Sequence, residues 1–575
     1  MKRTSEGKVT AVPAWRRWLI TVALLGLPMT LLGQAITIQL VDSDFLQGQG
    51  DQRHLRTEVL PAHRGAIHDR HGEALAISAP VDSVWADPGV LLDETGPEGV
   101  QRLAQTLSME ATTLLDDLKA RLDREFVYIR RHVNPSLAET VMALELPGVA
   151  LQREYRRFYP AGEVTGHVLG FTNIDDRGQE GLERAYDDWL SGQPGAKRVL
   201  RDRRGRNIED VERLREPKTG RNLTLTIDRR LQYVAYRELK AAVEREQAAG
   251  GSVVLMDPRS GEILAMVNQP AFNPNRRSEI SAGRYRNRAV TDTHEPGSVM
   301  KPFTVAAALA SGHVQPGTSI DTSPGTLQVG RSQVSDVRNF GELTVANVLK
   351  KSSNVGAATL ALDLEPGRIW SLLDQLQFGQ PSGLMFPGEA SGHLSVSPSD
   401  RPIERATLAF GYGVSVSSLQ LARAYSAIAA DGRLPTPTLV SGVEVGPPEA
   451  VMDPELAAVL RRMLTEVTRE GGTATQAAIP GYQVAGKTGT SRKAIAGGYA
   501  EDRYRSIFAG MAPAGDPRFV AVVSLDEPSG DQYYAGPVAG PVFRSVMESA
   551  LRLYNVPPDG TISRETLTAA REVRQ

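Results

Sequence analysis

Three short clusters in this 575-residue chain set hydroxyls, amines and an amide at spacings that permit nucleophilic catalysis. The first is Ser298-Val-Met-Lys301, inside Glu295-Pro-Gly-Ser-Val-Met-Lys-Pro-Phe. Pro296-Gly297 turns the chain, and a helix is expected to start at Ser298, with Pro302 tolerated in its first turn. Residues three apart share a helix face, so the Lys301 amine can reach the Ser298 hydroxyl. A serine is a weak nucleophile until a base takes its proton, and a lysine is a base only when neutral. Lowering a lysine from about 10.4 to a working value of roughly 7–8 costs about 4 kcal/mol. Burial and a second nearby cation both push that way. Such a spacing is common by chance, and a lysine on a solvated helix face is the plain alternative.

The second cluster is Ser352-Ser353-Asn354, preceded by Lys350-Lys351. A hydroxyl here could relay a proton between Lys301 and a leaving amine. The Asn354 amide offers a donor and an acceptor to a peptide substrate. In isolation a polar loop or helix cap explains these residues as well. Third is Gly486-Lys487-Thr488-Gly489-Thr490. Glycines flanking a lysine on a strand weaken the sheet unless something approaches the backbone closely. A strand edge of this kind can pair with an extended peptide, and Lys487, Thr488 and Thr490 suit a terminal carboxylate.

These clusters need a rigid frame. Asn222-Leu-Thr-Leu-Thr-Ile alternates like a strand, and Asp228 is placed to cap a helix carrying Leu231, Ala235, Leu239 and Ala242 inward. Two hairpins are expected: residues 251–258 with 261–267, and residues 506–513 with 519–525. Pro541 opens a last helix with Val542, Val546, Met547, Ala550 and Leu551 inward. Strands early and late around a helical middle imply an antiparallel sheet closed by distant parts of the chain, with a helical lobe inserted. Residues 222–555 are therefore one domain. Gly497-Gly498 and few apolar residues mark 491–503 as a mobile flap over the cleft.

Residues 45–220 are arginine-rich, broken by Gly and Pro, and show no sustained apolar periodicity. The run Arg201-Asp202-Arg203-Arg204-Gly205-Arg206 is interleaved with acids nearby and reads as a charge-paired surface. Hydrophobic residues at 41% and charged residues at 23% are globular usage, and a net charge of -2 gives no bulk attraction to nucleic acid. Cysteine is absent, which excludes disulfides, thiolate metal sites and a cysteine nucleophile. The nine histidines form no HExxH pair, so the usual chemistries of a metalloenzyme or redox enzyme fit this composition poorly.

The N-terminus carries Lys2, Arg3, Lys8, Arg16 and Arg17 against a single Glu6. Trp18 to Leu40 then runs without a charge, and as a helix it would be about 35 Å long, enough for a hydrocarbon core of roughly 30 Å. Asp42 and Asp44 follow. An uncleaved, single-pass anchor is expected, with 1–17 cytoplasmic and the rest outside. A cleavable signal peptide, with Gly33-Gln34-Ala35 as its processing site, is the alternative.

SxxK, a serine–asparagine motif and KTG in this order form the signature of penicillin-binding proteins and serine β-lactamases, with Ser353 here in place of the usual Asp. The chain resembles class B penicillin-binding proteins, most closely the septal, cell-division D,D-transpeptidases of Gram-negative bacteria. Arg64-Gly-Ala-Ile-His-Asp69-Arg70-His-Gly72, Arg157-Phe-Tyr159-Pro160-Ala-Gly162 and Gly178-Gln-Glu-Gly181-Leu-Glu183 resemble that family's N-terminal motifs. Phe410-Gly-Tyr412-Gly413-Val-Ser-Val and Glu527-Pro-Ser also fit.

The resemblance implies an α+β multidomain protein: a basic segment 1–17, a transmembrane anchor 18–40, an extended non-catalytic pedestal of dimerisation type at 45–220, a β-lactamase-like transpeptidase domain at 222–555 and a tail at 556–575. It implies that Ser298 attacks the D-Ala-D-Ala bond of a peptidoglycan stem peptide and that an amine of a neighbouring stem resolves the acyl-enzyme. Ser298 and Thr490 would supply oxyanion-hole N–H groups, and β-lactams would stall at Ser298. Tyr412, Arg492, Tyr504 and Tyr533 resemble pocket-lining positions beside Thr488, Gly489 and Thr490. A glycosyltransferase and other division proteins of the inner membrane are the implied partners, with the catalytic domain periplasmic, and the resemblance implies no metal or organic cofactor. A D,D-carboxypeptidase or β-lactamase, an elongation-type transpeptidase, and a non-catalytic β-lactam-binding scaffold or sensor are the competing assignments.

Overall fold

The computed structural model describes residues 13–38, 55–201, 207–276, 278, 281–495 and 497–560. The basic segment before Pro13, the end of the apolar span with Asp42 and Asp44, residues 202–206 and the tail from 561 lie outside the described residues. Helix α1, Ala14–Ile36, is long and apolar enough to cross a membrane, and its side chains are exposed. It begins four residues before the charge-free run, directly after Pro13, because helix geometry continues through Arg16 and Arg17 while apolarity does not.

The chain divides into two compact units. One takes in Met1–Ala62, Val81–Glu154 and Gln193–Lys218; the other takes in His63–Pro80, Tyr155–Gly192 and Thr219–Gln575. In the first, Leu55–Leu60, Gly195–Arg201 and Asn207–Arg215 form a three-stranded antiparallel sheet. Leu91, Val100, Leu103, Leu107, Leu118 and Val141 pack into a separate small core. Its main helix, Pro88–Thr106, is kinked at Gly96-Pro97, which breaks the apolar periodicity that would otherwise have shown it in the sequence.

In the second unit three N-terminal motifs converge on Glu183, which is fully buried. Arg64 Nε donates to Glu183 Oε2 at 2.8 Å, and Arg157 Nε to Glu183 Oε1 at 2.6 Å. Arg157 also reaches the Gly65 carbonyl at 2.8 Å. A buried carboxylate is tolerable only when paired in this way, and losing one partner would leave an uncompensated charge. Asp69 accepts the Arg229 N–H at 3.1 Å, tying the first motif to helix α2, Arg229–Arg245, which Asp228 caps. The strand expected from Asn222 is only Leu223–Thr224, parallel to Ile67–His68; Thr226 N–H turns instead to the Leu439 carbonyl.

The central sheet has five antiparallel strands. In spatial order they are β2 (Ile263–Gln269), β1 (Gly250–Met256), β5 (Phe519–Asp526), β4 (Gly498–Ala512) and β3 (Ala485–Ile495). The register Val253↔Val523 joins the early hairpin to the late one. Alternation sends Phe508 toward Phe543 of helix α10, Ala535–Leu553, with ring centroids 4.7 Å apart. Ser252, one position over from Val253, meets Ser418 of helix α8, Ser418–Ala429, at 2.9 Å on the other face. With both faces covered, β1 and β2 are buried at every position, so their apolar runs are continuous. The helix expected at Pro541 begins at Ala535, and Pro541 lies inside it. Its first turns, Ala-Gly-Pro-Val-Ala-Gly, are small because Gly536 presses on the Thr473 carbonyl, 2.3 Å from where a Cβ would stand.

The segment 491–503 continues the β3–β4 hairpin. Its ladder runs to Ile495↔Gly498, with a bulge between Arg492 and Ala494, and Ala496 lies outside the described residues.

Candidate active site

Ser298 lies in a 3₁₀ turn, Gly297–Met300, that runs into helix α3, Lys301–Ala310. The expected helix start is thus a tighter turn, which suits the close packing around Gly297. Gly297 N–H bonds the Gly411 carbonyl at 3.2 Å, and a Cβ on Gly411 would stand 2.2 Å from the Gly297 carbonyl. Below the turn, Val299, Met300 and Phe303 are buried, and the Tyr425 hydroxyl donates to the Val299 carbonyl at 2.8 Å.

Lys301 is fully buried. Its Nζ lies 3.0 Å from Ser298 Oγ, 2.7 Å from Asn354 Oδ1, 2.5 Å from the Ser352 carbonyl oxygen and 3.2 Å from Ser352 Oγ. The Ser352 geometry comes from a corner between two helices. Ser352 ends helix α4, Val345–Lys351, in the left-handed region at φ 60°, and Ser353 caps helix α5, Asn354–Asp363. A serine rarely holds that φ, and strain of this kind survives where packing enforces it. Here it lets the Ser352 carbonyl and the Asn354 amide converge on one amine.

Lys487 on β3 is also fully buried. Its Nζ donates to Ser352 Oγ at 2.8 Å and to the Thr488 carbonyl at 3.0 Å, so Ser352 Oγ stands between the two amines. β3 is the edge strand, and its Lys487–Gly489–Ser491 side faces the Gly297–Met300 turn. Ser491 Oγ donates to the Glu295 carbonyl at 3.0 Å. A Cβ on Gly489 would meet the Pro296 carbonyl at 2.8 Å, which is the close approach expected of that glycine. The Thr488 hydroxyl meets Thr473 Oγ1 at 2.7 Å, and Thr490 Oγ1 accepts the Ala535 N–H at 3.1 Å. Thr488 Oγ1 also accepts from Lys487 Nζ at 3.4 Å, so both hydroxyls have protein partners already, with capacity left for a further bond each.

Burial drives Lys301 down to about 7, against the opposing pull of the Asp336 carboxylate. Lys487 is held well below the usual lysine range, by burial first and by the Lys301 charge second. A neutral amine has two N–H donors and one lone pair. Two of the neighbours of Lys301, the Ser352 carbonyl and Asn354 Oδ1, can only accept. They take the donors and leave the lone pair to the Ser298 hydroxyl.

Tyr412, Arg492, Tyr504 and Tyr533 form a separate group. Arg492 and Tyr504 are register partners, Tyr504 stacks on Tyr533 with centroids 4.2 Å apart, and the Arg492 backbone lies against the Tyr412 hydroxyl. Among the described residues no hydrogen bond joins these four to Ser298, Lys301, Ser352 or Lys487.

Asp336 is the residue that sequence reasoning missed. Its carboxylate accepts Ser353 Oγ at 2.5 Å, the Val355 N–H at 3.1 Å and the Asn354 N–H. It thus holds the start of α5 and supplies the acid absent from position 353. Nothing in the sequence around Asp336 marks it, because the contact crosses from another loop. Asp336→Ala is expected to lower stability by about 1–3 kcal/mol, the worth of charge-assisted bonds at a helix start. It should also move the acid limb of any Lys301-dependent rate to lower pH, since the charge that raises Lys301 is gone. Denaturant unfolding and a pH–rate profile check the two effects.

Residues 251–548 match the penicillin-binding protein transpeptidase domain, and residues 59–225 the penicillin-binding protein dimerisation domain. The chain belongs to the class B penicillin-binding proteins. It is 41% identical over 547 residues to the probable peptidoglycan D,D-transpeptidase PbpC of Pseudomonas aeruginosa, covering 94% of this chain and 96% of that one. It is 40% identical over 554 residues to the peptidoglycan D,D-transpeptidase FtsI of Escherichia coli K12, covering 95% and 93%. Among solved structures, penicillin binding protein 3 of Mycobacterium tuberculosis complexed with aztreonam superposes with a TM-score of 0.68 at 26% identity, over 88% of this chain and 99% of that one.

Proposed function

We propose that this chain is a septal peptidoglycan D,D-transpeptidase working through a Ser298 acyl-enzyme. The carrying observation is Lys301, buried, near neutrality, and 3.0 Å from the Ser298 hydroxyl. Lys301 takes the Ser298 proton as Oγ attacks the carbonyl of the penultimate D-alanine. The peptide C–N bond breaks, and the proton passes through Ser352 Oγ to the departing amine of the last D-alanine. The donor peptide lies along the free edge of β3, its side chain held by Asn354 and its terminal carboxylate by Lys487, Thr488 and Thr490. The incoming carboxylate supplies a counter-charge to Lys487. N–H groups of Ser298 and Thr490 receive the oxyanion, donors worth about 3–4 kcal/mol each in acyl transfer. Tyr412, Arg492, Tyr504 and Tyr533 border the groove.

An amine of a second stem then attacks the acyl-enzyme and gives up a proton to Lys301, which passes it to Ser298 Oγ as the acyl C–O bond breaks and the cross-link is left behind. β-Lactams acylate the same oxygen. Residues 18–40 anchor the chain with their basic flank cytoplasmic, and the pedestal, residues 45–220, and the transpeptidase domain, 222–555, are periplasmic. A glycosyltransferase and division-site membrane proteins are its partners.

The test uses the full chain in detergent with a stem peptide ending in D-Ala-D-Ala and an amine acceptor. Mass spectrometry is expected to find free D-alanine and the cross-linked dimer. Hydrolysed peptide without dimer would make the protein a carboxypeptidase. Depletion in cells is expected to give filaments; rounded cells would move it to elongation.

A further inference from the structure

Beside β2, at the opposite edge of the sheet from β3, the second unit holds a cavity of about 540 Å³ that the reaction above does not use. Four interstrand steps separate these edges, about 19 Å. The walls are pinned. Asn275 and the Tyr159 backbone exchange hydrogen bonds at 2.9 and 3.0 Å, and Gln232 Nε2 donates to the Val164 carbonyl at 2.9 Å. Phe272 is buried at the floor, edge-on to His167.

The rim is chemically uneven. The carboxylate of Glu163 is already engaged by the Tyr236 hydroxyl and lies 3.5 Å from Lys240 Nζ. Arg276 and Arg284 line the same cavity. The Arg284 side chain has no hydrogen-bond or ion-pair partner among the described residues, although its carbonyl is held by His167 Nε2 at 2.8 Å. Tyr233 presents its ring with 52% of its surface exposed, and Asn273 adds an amide. A flat aromatic face, an amide and guanidinium groups around a preformed hollow match a ring with an apolar face, hydroxyls and one anionic group.

We propose that this pocket binds an anionic saccharide, a pyranose ring whose carboxylate is free of a stem peptide, and so grips a peptide-free stretch of the glycan while the stem peptide of a neighbouring sugar occupies the Ser298 cleft. The ring lies on Tyr233, Asn273 bonds its hydroxyl or acetamido groups, and Arg284 takes the carboxylate through two parallel N–H bonds. The identity of the sugar rests on the transpeptidase assignment; the pocket's chemistry does not.

The test titrates the full chain in detergent with N-acetylmuramic acid, N-acetylglucosamine and acetate, followed by saturation-transfer NMR. N-acetylmuramic acid is expected to bind, with N-acetylglucosamine at least about tenfold weaker for want of the charged contact. Acetate should not compete. Binding should survive acylation of Ser298 by penicillin. It should fall at least about tenfold in Arg284→Gln and in Tyr233→Ala, with melting temperature and acylation rate unchanged. If Tyr233→Ala melts early, Tyr233→Leu takes its place. No binding at millimolar sugar, equal binding in both variants, displacement by penicillin, or acetate binding as well as the sugar would each overturn the proposal. Acylation is read separately, so failure of penicillin to label Ser298 would sink the transpeptidase assignment and not the pocket.

Discussion

Fluorescent penicillin is expected to label the wild-type chain and to leave Ser298→Ala at background, a loss of at least about 10⁴ in acylation rate. Two hydroxyls lie within reach of Lys301, those of Ser298 and Ser352, at 3.0 and 3.2 Å. They are not equivalent. Ser352 Oγ also takes a bond from Lys487 at 2.8 Å and sits at a strained helix corner between two amines, a position for passing protons. Ser298 Oγ heads the Gly297–Met300 turn and has no hydrogen-bond partner besides Lys301 among the described residues. Ser352→Ala is therefore expected to slow labelling by about 10²–10⁴, the range of general acid–base catalysis, without abolishing it. A labelled Ser298→Ala and a blank Ser352→Ala would reverse the roles. Gel fluorescence on folded protein, verified by melting temperature, decides between them.

Lys301→Met is expected to reduce acylation by about 10³–10⁴. Lys301→Arg should do no better, because a guanidinium stays charged and cannot accept the Ser298 proton. The wild-type rate should rise with pH through an apparent ionisation at about 7 and fall roughly tenfold per unit below it, as the ammonium form takes over. A flat profile between pH 5 and 8, conditions set at about the ordinary range of histidine titration, would remove Lys301 from the role of base.

Stability carries the same signature with a definite sign. The unfolded chain keeps the Lys301 proton up to the usual lysine value of 10.5, whereas the folded chain releases it near 7. Between those limits the unfolded state binds more protons, so folding stability grows as pH rises, by at most about 1.4 kcal/mol per unit. Below the folded value the cost of a buried ammonium is fully present. Lys487, shifted in the same direction, adds to the slope. Lys301→Met should flatten the curve and gain most over wild type at acid pH, as read by denaturant midpoints across pH.

The lysine–serine spacing, the two hairpins and the close approach at Gly489 were legible because each follows from a local rule: helix periodicity, strand alternation, or the cost of glycine in a sheet. Other features depend on contacts between segments far apart in sequence. Asp336 completes the Ser353 position from another loop. The left-handed Ser352 has no residue-type signal, since glycine or asparagine is the usual occupant. Segments His63–Pro80 and Tyr155–Gly192 pack in the compact unit that holds Ser298, although they are interleaved with segments that pack in the other. The opening of α10 was hidden because its small residues serve close packing and carry no apolar stripe. Thr490 reads as a ligand for a carboxylate, yet its oxygen also secures the N-terminus of α10.

The pairing of β1 with β5 has a consequence for biogenesis. Partners on the middle ladder are about 270 residues apart, a loop-closure step that makes the sheet slow to nucleate. A ribosome adding about 5–20 residues each second needs on the order of tens of seconds between them, with Ser298 already made and waiting. Nascent or prematurely terminated chains ending before Phe519 are therefore inert and expose bare apolar edges, so a nonsense mutation anywhere upstream yields a substrate for proteolysis and no partial enzyme.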